Sequence, residues 1–451
     1  MLIDEARFSH AARPRIGVVP AIAVGAVVAV LVALQFVAMR SGFQGPLHGL
    51  ISDYVATPKS ASVPWAGFAI AMVGLSWRRR LFAIGAAVGI DALFVIGRAV
   101  RGATFTMGNG PVIVLTVIVA VALLRWTGTE RTTALRAACL GVLLILATKV
   151  GDAWLQITVM ARPTVLDTYA QIADRALGSP SWVMGRVVDA LGPVGYGVLH
   201  WVYIELPVAA IVVAIWQLRN VTSGDWPSHY LVRTFLVLGL VGPVVYLLFP
   251  VVGPMFAFGP DGQGFQVGNL WPAAVPIVDT DPNAIPFDGI TPRNCMPSMH
   301  TAWALALFIH SRGGPKWLRW GGVFWLLCTL TATLGFGYHY GVDLVAGAVL
   351  SLTVESALRE PERGWGWWRI RLVGGGILTL VALLLSYRFL AVRIAQNAEF
   401  AGPLIIGALV ALAVAFYATF FARHGVLAEW GRHRSTSRVP EFSATAGSLE
   451  R

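Results

Sequence analysis

Long apolar stretches separated by short polar connectors run through the chain from about residue 21 to residue 422. Such stretches predict membrane-spanning helices, because a helix needs about 20 apolar residues to cross the hydrocarbon core of a bilayer. We predict an all-α polytopic membrane protein with about twelve transmembrane helices. Their approximate limits are 21–38, 62–77, 81–97, 111–125, 136–154, 192–217, 231–250, 299–311, 317–337, 341–358, 372–390 and 402–422.

The composition supports the membrane prediction and changes how the net charge is interpreted. Of the 451 residues, 56% are hydrophobic and only 13% are charged, which is about half the charged share of a soluble domain. The net charge of +11 does not indicate a nucleic-acid partner, because the basic residues cluster in short connectors beside membrane spans. The expected partners are membrane lipids, and the oligomeric state cannot be deduced from the sequence.

The basic residues also predict an orientation. If the N-terminus is cytoplasmic, 23 of the 34 basic residues fall on the cytoplasmic side, as the positive-inside rule requires. Both termini are then cytoplasmic, and the long segment 251–298 is extracytoplasmic together with His300 and His339. The high content of Ala, Val, Gly and Arg is typical of GC-rich bacterial genomes, so we expect a bacterial plasma membrane.

The main candidates for chemistry in this apolar chain are three ionisable residues, His300, His339 and Asp343. Asp343 follows His339 by four residues, about one helical turn, so its carboxylate can hold one ring nitrogen of the imidazole and leave the other free to attack. A buried His–Asp pair that only joins two helices is the alternative. Cys295 lies five residues before His300, but nothing at helical spacing would activate its thiol.

The sequence around His300 favours the chemical interpretation. Pro297 suits the first turn of a helix, and Ser298 can cap exposed amides. A helix N-terminus attracts a phosphate, and His300 in that position could protonate an oxygen that leaves phosphorus. A helical hairpin over 299–337 would bring His300 close to His339.

The segments Pro297–His300 (PSMH) and Gly337–Asp343 (GYHYGVD) resemble two signatures of the type 2 phosphatidic acid phosphatase superfamily. They resemble in particular the branch that includes fungal inositol phosphorylceramide synthase. The resemblance implies a six-helix catalytic core, over about 136–358, and no metal or other cofactor.

The resemblance also implies a role for each residue. His339 would form a phosphohistidine, and Asp343 would orient and polarise it. His300 would protonate the leaving group and then activate the acceptor, either water or an alcohol. Ser298 would bind a phosphate oxygen.

The chain departs from the phosphatase branch at two phosphate-binding positions. YLLFPVVGP at Tyr246–Pro254 replaces a Lys-and-Arg-Pro motif, and Ala332-Thr333 replaces a Ser-Arg pair. Their loss favours the synthase branch and leaves open which groups neutralise the phosphoryl charge. The candidates are Arg293 and the intramembrane pair Lys149 and Asp152.

We predict four regions from these observations. Residues 1–130 form about four accessory helices, and 131–360 form the catalytic core with an extracytoplasmic loop at 251–298. Two accessory helices occupy 361–424, and 425–451 is a polar, disordered cytoplasmic tail.

Three functions are compatible with the sequence. The first is a membrane phosphotransferase that moves a phospho-headgroup, with phosphoinositol as one candidate, to a lipid-linked or sugar alcohol. The second is a lipid phosphate phosphatase that uses water as the acceptor. The third is a transporter in which the histidines are structural, although we find no inverted repeat that would support it.

Overall fold

The computed structural model describes residues 18–103, 105–258, 275, 281–422 and 426, and 78% of these described residues are helical. In chain order the first nine helices are α1 (Val18–Ser41), α2 (Pro46–Val55), α3 (Ser62–Met72), α4 (Trp77–Val100), α5 (Asn109–Leu124), α6 (Gly128–Ala161), α7 (Asp167–Asp174), α8 (Pro180–Ala190) and α9 (Gly192–Ile204). The others are α10 (Leu206–Gln217), α11 (Leu231–Leu248), α12 (Pro254–Phe258), α13 (Met299–Ser311), α14 (Lys316–Gly335), α15 (Gly341–Leu358), α16 (Trp367–Phe389), α17 (Ala391–Gln396) and α18 (Ala398–Phe420).

The predicted helices therefore form, but the count of twelve spans is not confirmed. Within the described residues, eight helical stretches are long and apolar enough to cross a membrane. The predicted span 192–217 is broken at Glu205 into α9 and α10, while α3, α5 and α13 have 11, 16 and 13 residues. Helices this short do not reach across a hydrocarbon core by themselves.

The chain divides into two compact units. Unit 1 comprises Met1–Arg162 and Pro207–Trp226, and unit 2 comprises Pro163–Leu206 and Pro227–Arg451. Helix α6, which the sequence analysis assigned to the catalytic core, lies in unit 1. All of the predicted region boundaries stay predictions, and the tail at 425–451, apart from Val426, lies outside the described residues.

Unit 1 is organised around α6, which packs against α3, α5 and α2, with α4 packed on α5. Small residues allow the closest approach, since a Cβ on Gly67 or Gly141 would collide with the backbone or side chains of the facing helix. Its core is a cluster of apolar side chains from α3, α4, α5 and α6.

Unit 2 is organised around α15. About 83% of this helix is buried, against 22–39% for the most apolar stretches of α11, α16 and α18, and it packs against α11, α13, α16 and α18. α13 and α14 form the predicted hairpin. A short antiparallel pair, β1 (Thr164–Val165) with β2 (Ile285–Pro286), ties the described end of the 251–298 loop to the segment before α7. Residues 259–274 and 276–280 of that loop lie outside the described residues.

Candidate active site

The first motif forms the start of α13. Ser298 is the N-cap, and its side chain accepts hydrogen bonds from the backbone N–H and the hydroxyl of Thr301, at 3.3 and 3.0 Å. The predicted capping role is thus confirmed, whereas Pro297 lies before the cap and not in the first turn. His300 is the second helical residue. Its backbone N–H and that of Met299 belong to the first turn, where amides have no intrahelical acceptor.

The second motif holds His339 rigidly in the connection between α14 and α15. Tyr340 is the N-cap of α15, and Asp343 Oδ2 accepts its backbone N–H at 2.8 Å in a capping box. The hydroxyl of Ser181 donates to the backbone carbonyl of His339 at 2.6 Å. The backbone N–H of Ser298 donates to the backbone carbonyl of Asp343 at 3.0 Å, which joins the two motifs.

The predicted pair is formed, and a third residue accompanies it. His339 Nδ1 lies 3.4 Å from Asp343 Oδ2. The thiol of Cys295 donates to Asp343 Oδ2 at 2.7 Å and lies 3.2 Å from His339 Nδ1. These three residues have ligand atoms close enough together to hold a metal ion. The sequence analysis dismissed Cys295 because it considered helical spacing only, and this contact is between separate segments.

Burial determines the protonation states of His339 and Cys295. It lowers the pKa of His339 to about 4, against a weaker opposing effect of Cys295, so the imidazole is neutral at physiological pH. Burial also raises the pKa of the Cys295 thiol well above its ordinary value, so it stays a thiol. With Nδ1 facing Asp343 and the thiol, the tautomer protonated at Nδ1 leaves Nε2 as the free nucleophilic nitrogen.

His300 lies in an aromatic environment. The ring of Tyr203 stacks on the imidazole with 3.9 Å between centroids, and its hydroxyl oxygen lies 3.0 Å from His300 Nδ1. Tyr203 also contacts the ring of Tyr338, the residue before His339, at 5.2 Å. Tyr203 thus links His300 to the residue that precedes His339. The arrangement brings together the three residues predicted to be catalytic, His300, His339 and Asp343.

Two aspartates that the sequence analysis did not single out support this connection. Asp167 accepts the backbone N–H of Val252 at 3.1 Å and the hydroxyl of Tyr340 at 2.9 Å. Asp174 accepts the backbone N–H of Val342 at 3.0 Å. Burial raises the pKa of Asp167 to about 7 and that of Asp174 to about 8, which reduces the cost of burying them without a counter-ion. Their only sequence signal is an acid at each end of a short helix.

The segment that replaces the phosphatase-branch motif has a structural role. Gly253 has φ +104°, and a Cβ there would collide with the backbone carbonyl of Tyr338, so only glycine fits. The backbone N–H of Cys295 donates to the carbonyl of Val251 at 3.0 Å. The turn thus brings Cys295 against the connection that carries His339.

Arg293 is fully buried in the described end of the 251–298 loop. Its guanidinium donates to the backbone carbonyls of Thr291 and Asp288, the second at 2.6 Å, and lies over the ring of Phe287 at 5.6 Å. These contacts give Arg293 a role in shaping the loop. Phosphate binding by Arg293 and by Ser298 stays a prediction.

Lys149 and Asp152 lie in unit 1 and do not pair with each other. Lys149 Nζ is 2.6 Å from Asp53 Oδ2, and Asp152 Oδ1 is 2.9 Å from Lys59 Nζ. The predicted intramembrane Lys–Asp pair is therefore wrong, since each residue has a partner distant in sequence. Their binding of the substrate phosphate also stays a prediction.

A second histidine–carboxylate cluster lies away from this site. It joins the start of α11 to the C-terminal ends of α13 and α15. Glu355 lies 2.7 Å from His310 Nε2 and 3.1 Å from His229 Nε2, and it also accepts from Thr234 and Arg359. His229, His310 and Glu355 have side chains of types that can ligate a metal, and their ligand atoms are close enough to share an ion. The four donors already satisfy the carboxylate, so the geometry favours a hydrogen-bonded joint between helices.

Comparison with known proteins shows that two parts of the chain match family models, one of them the part that contains the candidate site. Residues 181–356 match the model of the PAP2 superfamily, and this range contains the three predicted catalytic residues. Residues 18–157 match a second model, described as a domain of unknown function (DUF5933). No curated protein and no solved structure matches the chain. The described part of the chain thus combines helices long and apolar enough to cross a membrane with a region, residues 181–356, that matches the PAP2 superfamily model.

Proposed function

We propose that the chain is a membrane phosphotransferase that acts on phospholipid or lipid-linked phosphate substrates through a phosphohistidine at His339. The observation that carries the proposal is the fixed arrangement of His339 against Asp343, at 3.4 Å, with His300 at the start of α13, where the backbone N–H of the cap residue Ser298 donates to the carbonyl of Asp343. A nucleophile, a group that orients it and a proton donor are the parts needed for covalent phosphoryl transfer.

The reaction has two displacements at phosphorus. Nε2 of His339 attacks, the bond from phosphorus to the lipid oxygen breaks, and protonated His300 gives its proton to that oxygen. In the second displacement the acceptor O–H gives its proton to His300, its oxygen attacks phosphorus, and the P–N bond breaks. Binding of an anionic substrate beside His300 stabilises the imidazolium that the first displacement requires.

The start of α13 supplies positive potential without an arginine clamp. The amides of Met299 and His300 lie at the positive end of the helix dipole, where phosphate groups bind favourably. This end is buried, with Ser298 fully buried and His339 only 5% exposed, and electrostatic attraction is stronger away from bulk water. These features support a phosphodiester donor, which carries less charge than a phosphomonoester.

A product assay distinguishes transfer from hydrolysis. Purified protein in lipid nanodiscs is given a phospholipid labelled in its headgroup phosphate, including an inositol phospholipid, with and without a lipid or sugar alcohol. We expect a new labelled phosphodiester that depends on the added alcohol. Release of water-soluble phosphate at the same rate with and without alcohol would show a phosphatase instead.

Cys295 offers a milder test of the same geometry. Replacement of Cys295 by alanine removes one hydrogen bond to Asp343, worth about 1 kcal/mol, so we expect kcat to fall about tenfold or less. Cys295→Ser keeps a donor and should stay close to wild type. A loss in both variants as large as that of His339→Gln would instead make the thiol itself the reacting group. The measurement is kcat for phospholipid turnover.

The extracytoplasmic location of the site can be tested with the lysines. In the predicted topology Lys59 is extracytoplasmic and Lys316 is cytoplasmic, and both side chains are exposed. We expect a membrane-impermeant amine reagent to modify Lys59, but not Lys316, in intact cells, and both after permeabilisation. Peptide mass spectrometry measures the two sites. Modification of Lys316 alone in intact cells would invert the topology.

A further inference from the structure

Unit 1 contains a cavity, lined by both polar and apolar residues, that takes no part in the two displacements proposed above. Its volume is about 330 Å³, at the small end of the roughly 300–1,000 Å³ typical of ligand pockets. It is formed by the segment around α2 and by α6, within the region that matches the domain of unknown function. A volume of this size suits one small headgroup.

Lysine is rare in this chain, and most of the lysines line this cavity. The sequence has three lysines against 31 arginines, and two of the three, Lys59 and Lys149, line this cavity. Lys149 is only 8% exposed and its partner Asp53 is fully buried. Burying an ion pair in a membrane protein costs free energy, so such pairs typically mark a polar site.

Each lysine of the lining is paired with a carboxylate, Lys59 with Asp152 in the lining and Lys149 with Asp53 outside it. Lys149 Nζ lies 2.6 Å from Asp53 Oδ2, and Lys59 Nζ lies 2.9 Å from Asp152 Oδ1. These pairs disfavour the phosphate binding that the sequence analysis considered for Lys149 and Asp152, because a phosphate would meet lysines already paired with carboxylates. A metal cation would meet the ammonium groups. An uncharged ligand avoids both penalties.

Hydroxyl groups match this lining best. The Lys59–Asp152 pair presents a donor beside an acceptor to the cavity, and two neighbouring hydroxyls of a ring can accept from the ammonium and donate to the carboxylate. Lys149 adds a second donor, while its partner Asp53 is fully buried outside the lining. Gln44 and Gln156 add both kinds of group, and Phe43 adds an apolar surface for the face of a ring. We propose that this cavity of unit 1 binds a polyhydroxylated ring, either a sugar or a cyclitol, free or as a lipid headgroup.

Two of the three lysines, Lys59 and Lys316, provide the test. The full chain in phosphatidylcholine nanodiscs is modified briefly with an amine-acetylating reagent, and acetylation of Lys59 is measured by mass spectrometry. Lys316, which is exposed at the start of α14 in unit 2, serves as the internal reference. The probes are myo-inositol and mannose in solution, phosphatidylinositol in the disc, and inorganic phosphate and phosphatidylserine as anions without a polyol ring.

We expect a polyol at ten times its Kd to slow acetylation of Lys59 about tenfold, with Lys316 unchanged. Protection by free polyol would show that the ring suffices, and protection by phosphatidylinositol alone would assign the lipid headgroup. No protection by any polyol probe would overturn the proposal. Equal protection by phosphate or phosphatidylserine would overturn it too, in favour of an anion site.

Two variants sharpen the result. Asp152→Asn removes the carboxylate beside Lys59 and should abolish most of the protection. Glu130→Gln, which alters another partly exposed, ion-paired carboxylate of unit 1 outside the cavity, should retain it. Equal protection in both variants would show that the Lys59–Asp152 pair does not bind the polyol, and would contradict the proposal. If Asp152→Asn does not fold, the wild-type comparison of polyols with anions decides.

Discussion

Replacement of His339 by glutamine should lower phospholipid turnover by about 10⁴-fold or more. The amide can occupy the same space but cannot form a phosphoramidate intermediate, so no covalent path remains. The fold should survive, because the contact from Ser181 is made to the backbone carbonyl of residue 339 and not to its side chain. The measurement is kcat with a labelled phospholipid, and the matched control is His48→Gln, which changes an exposed histidine of unit 1. Substantial activity in His339→Gln would exclude His339 as the nucleophile.

The pH profile of the wild-type enzyme gives an independent check on His339. Burial lowers its pKa to about 4, and only the neutral imidazole can attack phosphorus. The contribution of His339 to kcat/KM is therefore fully present at neutral pH and is lost as the pH falls through about 4. A free imidazole would produce this loss near pH 6.5.

Replacement of His300 by alanine should have the second largest effect, and its size should depend on the leaving group. With a phospholipid the leaving alkoxide needs a proton, so we expect kcat to fall about 10²–10⁴-fold. With an aryl phosphate ester the leaving aryl oxide is stable without a proton, so formation of the phosphohistidine should be nearly normal. The second displacement lacks its base in this variant, and labelled protein should accumulate.

The comparison of the two substrates also controls for damage to the fold. A variant that had lost the structure of the site would be equally slow with both. Equal losses would therefore contradict the acid role of His300 and assign it to the aromatic packing around Tyr203. Rapid kinetics of aryl oxide release, with phosphoenzyme measured in parallel, distinguishes these outcomes.

The sequence predicted most of what depends on local spacing. Helices formed where apolar stretches were long, Ser298 capped α13, and His339 met Asp343, because four residues separate them at the start of a helix. The break at Glu205 was missed, since apolar residues flank this single glutamate and a hydropathy pattern does not register it. The predicted span 192–217 therefore became two shorter helices, α9 and α10.

Contacts between distant segments could not be predicted in this way. Cys295 reaches Asp343 because a turn at Gly253 packs against the backbone of Tyr338, and nothing in the spacing of Cys295 indicates that contact. Lys149 pairs with Asp53, which is 96 positions earlier in the chain, although Asp152 is the nearer carboxylate in sequence. In each case tertiary packing selected the partner.

Trapping the intermediate tests the central claim most directly. The full chain in nanodiscs is mixed with a phospholipid labelled in its headgroup phosphate, quenched at alkaline pH to preserve phosphoramidates, and digested for peptide mass spectrometry. We predict label on the peptide that contains His339 in the wild-type protein, more label in His300→Ala with an aryl substrate, and none in His339→Gln. Label on a different residue, or turnover by wild type with no labelled protein in any of these reactions, would contradict the account.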